Sequence, residues 1–558
     1  MKKKYLLIGL ALLVLIAPVF AAGRVETQPT SSLKEIAEVE QMSALNSNPL
    51  SDVRVRQAIA YAIDMDTIAE TFFDGMVTPA DSLTPDNGLG LNDYAYDPEK
   101  AKELLKEAGW DKSHVLNVVY TYTDQQTVDF MAIIQQYLAA VGIQMKASLL
   151  EGNTSAMLWT KPSDGVNGPS AVEWDMYYGA IGASSQYAFY GRFQTGGSNN
   201  SHTPGNTELD DLISRVYATA EASKQKELFD EIQIFMNKQL PVLPLYHMDV
   251  YSIESDKVIR NNAPYGNEQY SYDWKIETWD IAADKNGKKV LHTNNAPAEY
   301  FWEPFANANG NVPNKLLYDH LVVANSDCDE FAPQQCENYY IDDNGLKITF
   351  VLKDGLKWHD GSDITGADVK FTWQLAARVT SLNNLYTDTV KKLEGYADYV
   401  SGAAKDLTGI AVDGNTITFK FTDVSPTAIL GFSQLPTLPE KYLKNINPAA
   451  VQQDPFWQSP IGSGPYKIKE VSMNNYCVME AFKEYQGGRP IIDEIYMYPS
   501  TETDANLVKN VSAGLYDYAW SKSLADVQAC MLVPGYKVTA YPMLYSRLLY
   551  FNKFEHVK

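Results

Sequence analysis

Between residues 49 and 250 the apolar positions of this chain switch repeatedly between two periods. Over Arg54–Ile68 they recur at Val55, Ile59 and Ile63, the spacing that puts side chains on one helical face. Asp97-Pro98-Glu99 opens a further helix, because proline suits a first helical turn, and Gly109 ends it before Trp110. Leu116–Thr123 and Gln144–Leu150 alternate with period two, as half-buried strands do, and the helical stretch Gln126–Ala140 lies between them. Strands alternating with helices predict an α/β lobe. Upstream, residues 23–48 are polar and read as a linker. They carry one short helical stripe, Leu33, Ile36, Val39 and Met42, behind a capping box of Ser32 and Glu35. Downstream, Asp284-Lys-Asn-Gly-Lys-Lys289 is a turn-rich joint, and Asp342-Asp-Asn-Gly345 and Asp413-Gly-Asn415 mark tight turns before strands.

A chain of 558 residues exceeds one core and predicts two or three domains. At 45% hydrophobic and 12% aromatic it can fill them. The formal net charge of −23 argues against nucleic-acid or anionic-membrane partners, which reward positive patches. Lys2–Lys4 followed by the short apolar run Tyr5–Val19 and Val19-Phe20-Ala21 read as a cleaved export signal over residues 1–22. Loss of its three lysines would take the charge to −26. The mature chain is then expected to be soluble, in the periplasm or outside the cell.

Exported proteins can form disulfides, and Cys328, Cys336, Cys477 and Cys530 allow three pairings. Cys328 with Cys336, closing a short loop, is the favoured pair; free buried thiols are the alternative. No enzyme motif stands out. Gly462-Ser-Gly464-Pro465 lacks the Gly-Lys-Ser/Thr of a phosphate loop and the spacing of a nucleophile elbow. The seven histidines have no ligand-like spacing, so no metal or cofactor is expected, and His359 is given a structural loop role.

Several stretches resemble the extracytoplasmic solute-binding proteins of peptide-type ABC importers, family 5. Leu346–Trp373, with Trp358-His-Asp-Gly361 at its centre, resembles the family's N-terminal signature. Val290–Pro297 resembles its first strand, and Pro460–Tyr466 its return into the main lobe. Asn48–Asp64, Tyr94–Trp110 and Pro241–Tyr246 resemble its second lobe, yet here they come first. The resemblance implies a two-lobed, circularly permuted α/β binding-protein fold. Residues 49–250 would form the second lobe, 251–314 and 456–558 the first lobe, and 315–455 an extra small domain. A break between Asn552 and Pro49 would leave one covalent tie between the lobes, near Tyr246–Ser252.

The resemblance also implies a monomeric receptor that closes on a ligand and delivers it to an ABC permease in the inner membrane. In peptide-binding members an aspartate near the loop after Glu173-Trp-Asp-Met-Tyr-Tyr178 receives the peptide's amino terminus. Here that region reads Ser184-Ser-Gln186. The lack of an acid leaves an oligopeptide or an oligosaccharide as ligand, with Asp175 a weak substitute anchor. Trp174, Tyr177, Tyr187 and Trp302 are the expected aromatic contacts, and Ser184, Gln186 and Asn295 the polar ones. A secreted hydrolase or a structural surface protein is the alternative of a different class.

Overall fold

The structure is a computed structural model. It describes residues 48–556 other than 85–87, 183–185, 198–199, 201–203, 220–221, 265–272, 298–300, 302, 307–311, 326–327, 329, 343 and 500–505. The export signal and the stripe over residues 33–42 lie outside the described residues.

The second lobe opens with the helix Val53–Ala62 (α1), whose N-cap Asp52 accepts from the Arg54 N–H. One helix was expected over residues 54–68, but there are two. Ile63 turns extended, and Asp64 caps Met65–Thr71 (α2) by accepting from the Thr67 N–H. A short carboxylate that can bind a nearby backbone N–H competes with helix continuation, and it wins here over the apolar stripe. Pro98–Glu107 (α3) runs from its cap Asp97 to a left-handed Gly109, as the sequence predicts. Val115–Tyr120 (β1), Gln125–Ala140 (α4) and Gln144–Leu149 (β2) follow, and Met176–Gly182 (β3) pairs parallel to β1. Val242–Ser255 (β4) then runs out of this lobe.

Val290–Ala296 (β5) belongs to the first lobe. Within residues 315–455 a separate antiparallel sheet forms from Cys336–Ile341 (β6), Lys347–Leu352 (β7), Ile410–Asp413 (β8) and Thr416–Lys420 (β9). Asp413-Gly-Asn415 makes the β8–β9 hairpin turn, with Gly414 at φ +57°. The main lobe resumes with Tyr466–Ser472 (β10), Tyr476–Ala481 (β11), Glu494–Pro499 (β12) and Tyr518–Ser521 (β13), followed by the long strand Tyr536–Phe551 (β14). The small sheet shares its core with the first lobe: Phe350, Trp373 and Trp457 are contiguous with Leu291 and Met497.

One large sheet runs through both lobes in the order β10-β11-β12-β5-β13-β4-β14-β3-β1-β2. At its centre β4 and β14 pair antiparallel from Tyr536 opposite Ser255 to Tyr550 opposite Val242. In the first lobe β4 also pairs with β13, and in the second lobe β14 also pairs with β3. Both strands therefore cross between the lobes. This corrects the expectation of a single tie, and it moves the second half of β14 out of the first lobe, where residues 456–558 were placed. A strand of sixteen residues is long enough to serve two lobes, which its apolar pattern alone did not reveal.

The seams of the expected permutation are both closed by local bonds. The Asn48 side chain donates to the carbonyls of Asn552 (2.9 Å) and Phe554 (2.7 Å). The buried Arg56 guanidinium donates to four carbonyls, those of Leu50, Ser51, Gln239 and Leu240. The joint at Asp284–Lys288 is a tight turn with Gly287 at φ +80°.

His359 takes the structural place expected of it. Its Nδ1 accepts from the Gly462 N–H (3.2 Å) and its Nε2–H donates to the Gly464 carbonyl (3.0 Å). The glycines are needed for close approach: a Cβ on Gly462 would lie 1.9 Å from the Leu317 carbonyl oxygen. The disulfide expected between Cys328 and Cys336 is not formed. Cys336 is a free thiol in the main first-lobe core, its pKa pushed up to about 11 by burial, whereas Cys328 packs with Ala324 and Leu430 in a satellite cluster.

Two outcomes follow from this loop. Gly462→Ala should cost roughly 1–3 kcal/mol or abolish folding, because backbone rather than a flexible side chain must move; thermal denaturation reads it. Burial pushes His359 down to about 4 from an ordinary 6.5. The unfolded chain therefore binds its proton first, and stability contributed by the neutral ring is lost as pH falls from about 6.5 toward 4. His359→Gln should flatten the pH dependence of the melting temperature across that window relative to wild type.

Candidate functional site

The strand directions locate the site. β3 is antiparallel to β14, which is antiparallel to β4, so β3 and β1 run toward the first lobe. β13 is antiparallel to β4, and β5 and β12 run parallel with it, toward the second lobe. The carboxyl ends of both sets of parallel strands thus face each other across β4 and β14. Open α/β sheets bind ligands at such ends.

The crossing strands are irregular at that place. Pro542 pairs with Asp249 and Ser546 with His247, so Met543, Leu544 and Tyr545 stand opposite the single residue Met248. Extra residues in one strand bend and twist it, which suits a hinge. Around the bulge, Tyr541, Met543 and Val250 form a small apolar cluster with Trp520 and Tyr545 against it. Contacts already span the lobes: Lys522 Nζ lies 4.9 Å over the Tyr545 ring, Gln528 donates to Asp74, and Lys392 Nζ sits 5.2 Å over Tyr217.

On the second-lobe side the polar groups are Ser546, His247 and Arg547. Ser546 Oγ donates to the Leu83 carbonyl (2.7 Å) and meets His247 Nδ1 at 2.9 Å. Burial lowers His247 to about 4, so it is neutral at physiological pH. Arg547 lies between tyrosines, its guanidinium carbon 3.9 Å from the Tyr122 ring centre, 5.7 Å from Tyr178 and 5.8 Å from Tyr545. Burial raises Tyr122, Tyr178 and Tyr246, so these rings are uncharged.

The residues chosen from sequence fall elsewhere or partly outside view. Trp174 is buried at the amino end of β3, donating to the Met157 carbonyl, and Tyr177 stacks on Tyr550 at 5.4 Å. Both belong to the core beneath the helical layer of Ile213 and Ile232. Sheet parity explains this: Tyr177 and Tyr178 are neighbours in sequence but face opposite sides of β3. Gln186 is half-buried at the start of the short helix Gln186–Tyr190. Asn295 is the penultimate residue of β5, at φ +72°, its amide donating to Asn294, and so stands on the first-lobe side of the junction. Ser184 and Trp302, and the side chain of Tyr187, lie outside the described residues. Asp175 is ruled out as an amine anchor, because its carboxylate is taken by the Asn117 N–H (2.7 Å) and His556 (2.9 Å) at the far end of β3.

The sequence reading missed Arg547, although a signal existed. It is the single charged residue between Lys537 and Lys553, in a stretch otherwise made of apolar and neutral residues. Two half-open pockets lie away from the junction. One, of about 140 Å³, sets Lys275, Lys315 and Lys353 against Asp273, Glu277 and Asp319, with burial pushing Asp319 up to about 7. The other, of about 280 Å³, has Asp64, Asp66, Asp81 and Asp93 over an apolar floor. Both fall short of the ~300–1,000 Å³ usual for a small-molecule site. Among the described residues no group of three metal-ligating side chains occurs, and no helix is long and apolar enough to cross a membrane.

The sequence profile of the bacterial extracellular solute-binding proteins, family 5, matches residues 25–201 and 330–554. The dipeptide-binding protein of Escherichia coli (strain K12) is 31% identical over 230 residues, 37% of this chain and 39% of that protein. The oligopeptide-binding protein OppA of Lactococcus lactis is 30% identical over 213 residues, 37% of this chain and 35% of that protein. The chain thus spans little more than a third of the length of the curated relatives it matches. The oligopeptide-binding protein AppA of Bacillus subtilis, solved with a nonapeptide, superposes with a TM-score of 0.35 at 21% identity, covering 41% of this chain and 43% of that one.

The placement of Asp175 gives a test. Asp175→Ala should lower stability by about 1–2 kcal/mol, because the half-buried Asn117 N–H loses its acceptor. Ligand affinity, measured calorimetrically, should stay within about twofold of wild type, since the carboxylate lies at the far end of β3 from the junction.

Proposed function

From the premise that this chain belongs to the bacterial extracellular solute-binding proteins of family 5, we propose that it is the extracytoplasmic receptor of an ABC peptide importer. It takes an oligopeptide between its lobes and presents it to a membrane permease. The observation that carries this reading is the opposition of the two sets of strand carboxyl ends across a pair of bulged crossing strands. That geometry supplies a crevice walled by two lobes, and binding energy realised in both walls favours their closure. Escherichia coli and Lactococcus lactis relatives carry the names dipeptide- and oligopeptide-binding protein, which supports a peptide over a saccharide.

The segment order belongs to the same proposal. We read the chain as a family member with its second lobe first. The bonds from Asn48 to Asn552 and Phe554, and the turn at Asp284–Lys288, support that order by bringing both seams together without strain. Two crossings are retained, so hinge motion does not depend on the rearrangement.

Calorimetric titration with mixed tripeptides and, separately, with maltotriose and cellotriose tests the ligand class. Peptides should bind and raise the melting temperature; a ligand at 100 times its Kd adds ~2.7 kcal/mol. A response confined to the saccharides would replace the peptide reading with the sugar one. Small-angle scattering should show contraction on peptide addition, and an unchanged profile with bound peptide would remove closure from the mechanism.

A further inference from the structure

The charge balance at the junction is one-sided. Arg547 sits on β14 opposite Ala180 of β3 and Tyr246 of β4, at the carboxyl end of β3. Its Nε contacts the Met248 sulfur at 3.4 Å, while Nη1 is out of solvent and has no hydrogen-bond partner. No carboxylate forms an ion pair with it among the described residues. Its electrostatic neighbours are tyrosines, Tyr178, Tyr545, Tyr122 and Tyr246.

A guanidinium withdrawn from water is costly unless an anion or a full set of acceptors meets it. Tyrosine faces return only part of that cost. Two other buried guanidinium groups are met by acceptors: Arg56 by four backbone carbonyls and Arg260 by Glu254 and Ser252. Arg547 stands apart from them. It is also half-buried as a whole, as are Tyr122 and Tyr545 beside it, so the cluster is not fully enclosed by the fold.

We infer that Arg547 is a specificity-determining residue whose partner is a carboxylate of the bound solute, making this a receptor that prefers peptides presenting a carboxylate to the tyrosine-lined end of β3. The fork of N–H donors matches a carboxylate in two parallel hydrogen bonds, and the neutral tyrosine walls fix the plane in which it lies. The carboxylate comes from an acidic side chain or from the peptide's terminus. This inference rests on the peptide-receptor reading above.

Three tripeptide mixtures distinguish the sources: glutamate at the centre with an amidated end, glutamine at the centre with an amidated end, and the glutamine mixture as free acids. A lost charge-assisted contact of this kind weakens binding about 10- to 100-fold. Wild type should bind the glutamate amides, or the free acids, that much more tightly than the glutamine amides. Arg547→Gln should erase the difference while Arg547→Lys keeps part of it, and circular dichroism checks that each variant folds. Equal affinity of wild type for all three mixtures overturns the inference and leaves the peptide reading intact, as does Arg547→Gln binding like wild type. If none of the mixtures binds and maltotriose does, the peptide reading fails and the inference falls with it. The wild-type comparison decides the matter even if neither variant folds.

Discussion

The antiparallel pairing of β4 with β14 is the constraint on which the rest of this molecule depends. Each strand is hydrogen-bonded to the other along most of its length, and each also carries a lobe on its free edge, β13 on one side and β3 on the other. The lobes therefore share a sheet and are not beads on a linker. Their relative orientation is set by backbone hydrogen bonds and relieved at one place, where Met543–Tyr545 bulge opposite Met248. The same pairing fixes strand direction, and direction is what brings the carboxyl ends of both lobes face to face. The facing strand ends and the position of Arg547 are consequences of one ladder.

On the segment order proposed above, both seams would fall clear of that ladder. Joining or separating backbone at the surface changes loop-closure entropy by small amounts, whereas breaking a paired central strand would open the core. Neither seam touches the ladder. One is a surface turn at Asp284–Lys288, and the other lies beyond the end of β14, where Asn48 and Asn552 are held by side-chain bonds. Arg56 adds carbonyl contacts across the same wall, to Leu50 and Ser51 on one side and Gln239 and Leu240 on the other.

Local structure was largely legible in the sequence. α3, α4, β1 and β2 appear within two or three residues of their predicted bounds, because caps, glycine and period are local signals. The break at Ile63–Asp64 was not seen, since Asp64 could equally have been an exposed residue within a longer helix. The role of His359 was legible in outline from its loop, but its bonds to Gly462 and Gly464 join segments about a hundred residues apart. No periodicity carries such information. The dual membership of β14 was hidden for the same reason: a strand's pattern reports burial and not which partners bury it.

The site was harder to read, and the reason is parity. Resemblance pointed to β3, but one step along a strand reverses the face. Tyr177 was chosen and lies in the core with Tyr550, while Tyr178 is the ring that lies beside Arg547. An aromatic residue is ambiguous in this respect, because it is equally at home in a core and in a binding wall. A charged residue is not. An arginine in a strand of otherwise apolar and neutral residues must either be satisfied by the fold or be left to a partner. The fold supplies tyrosine faces and a thioether to Arg547 and no carboxylate among the described residues. The most informative residue of the crevice is therefore the one whose presence is least compatible with its own strand.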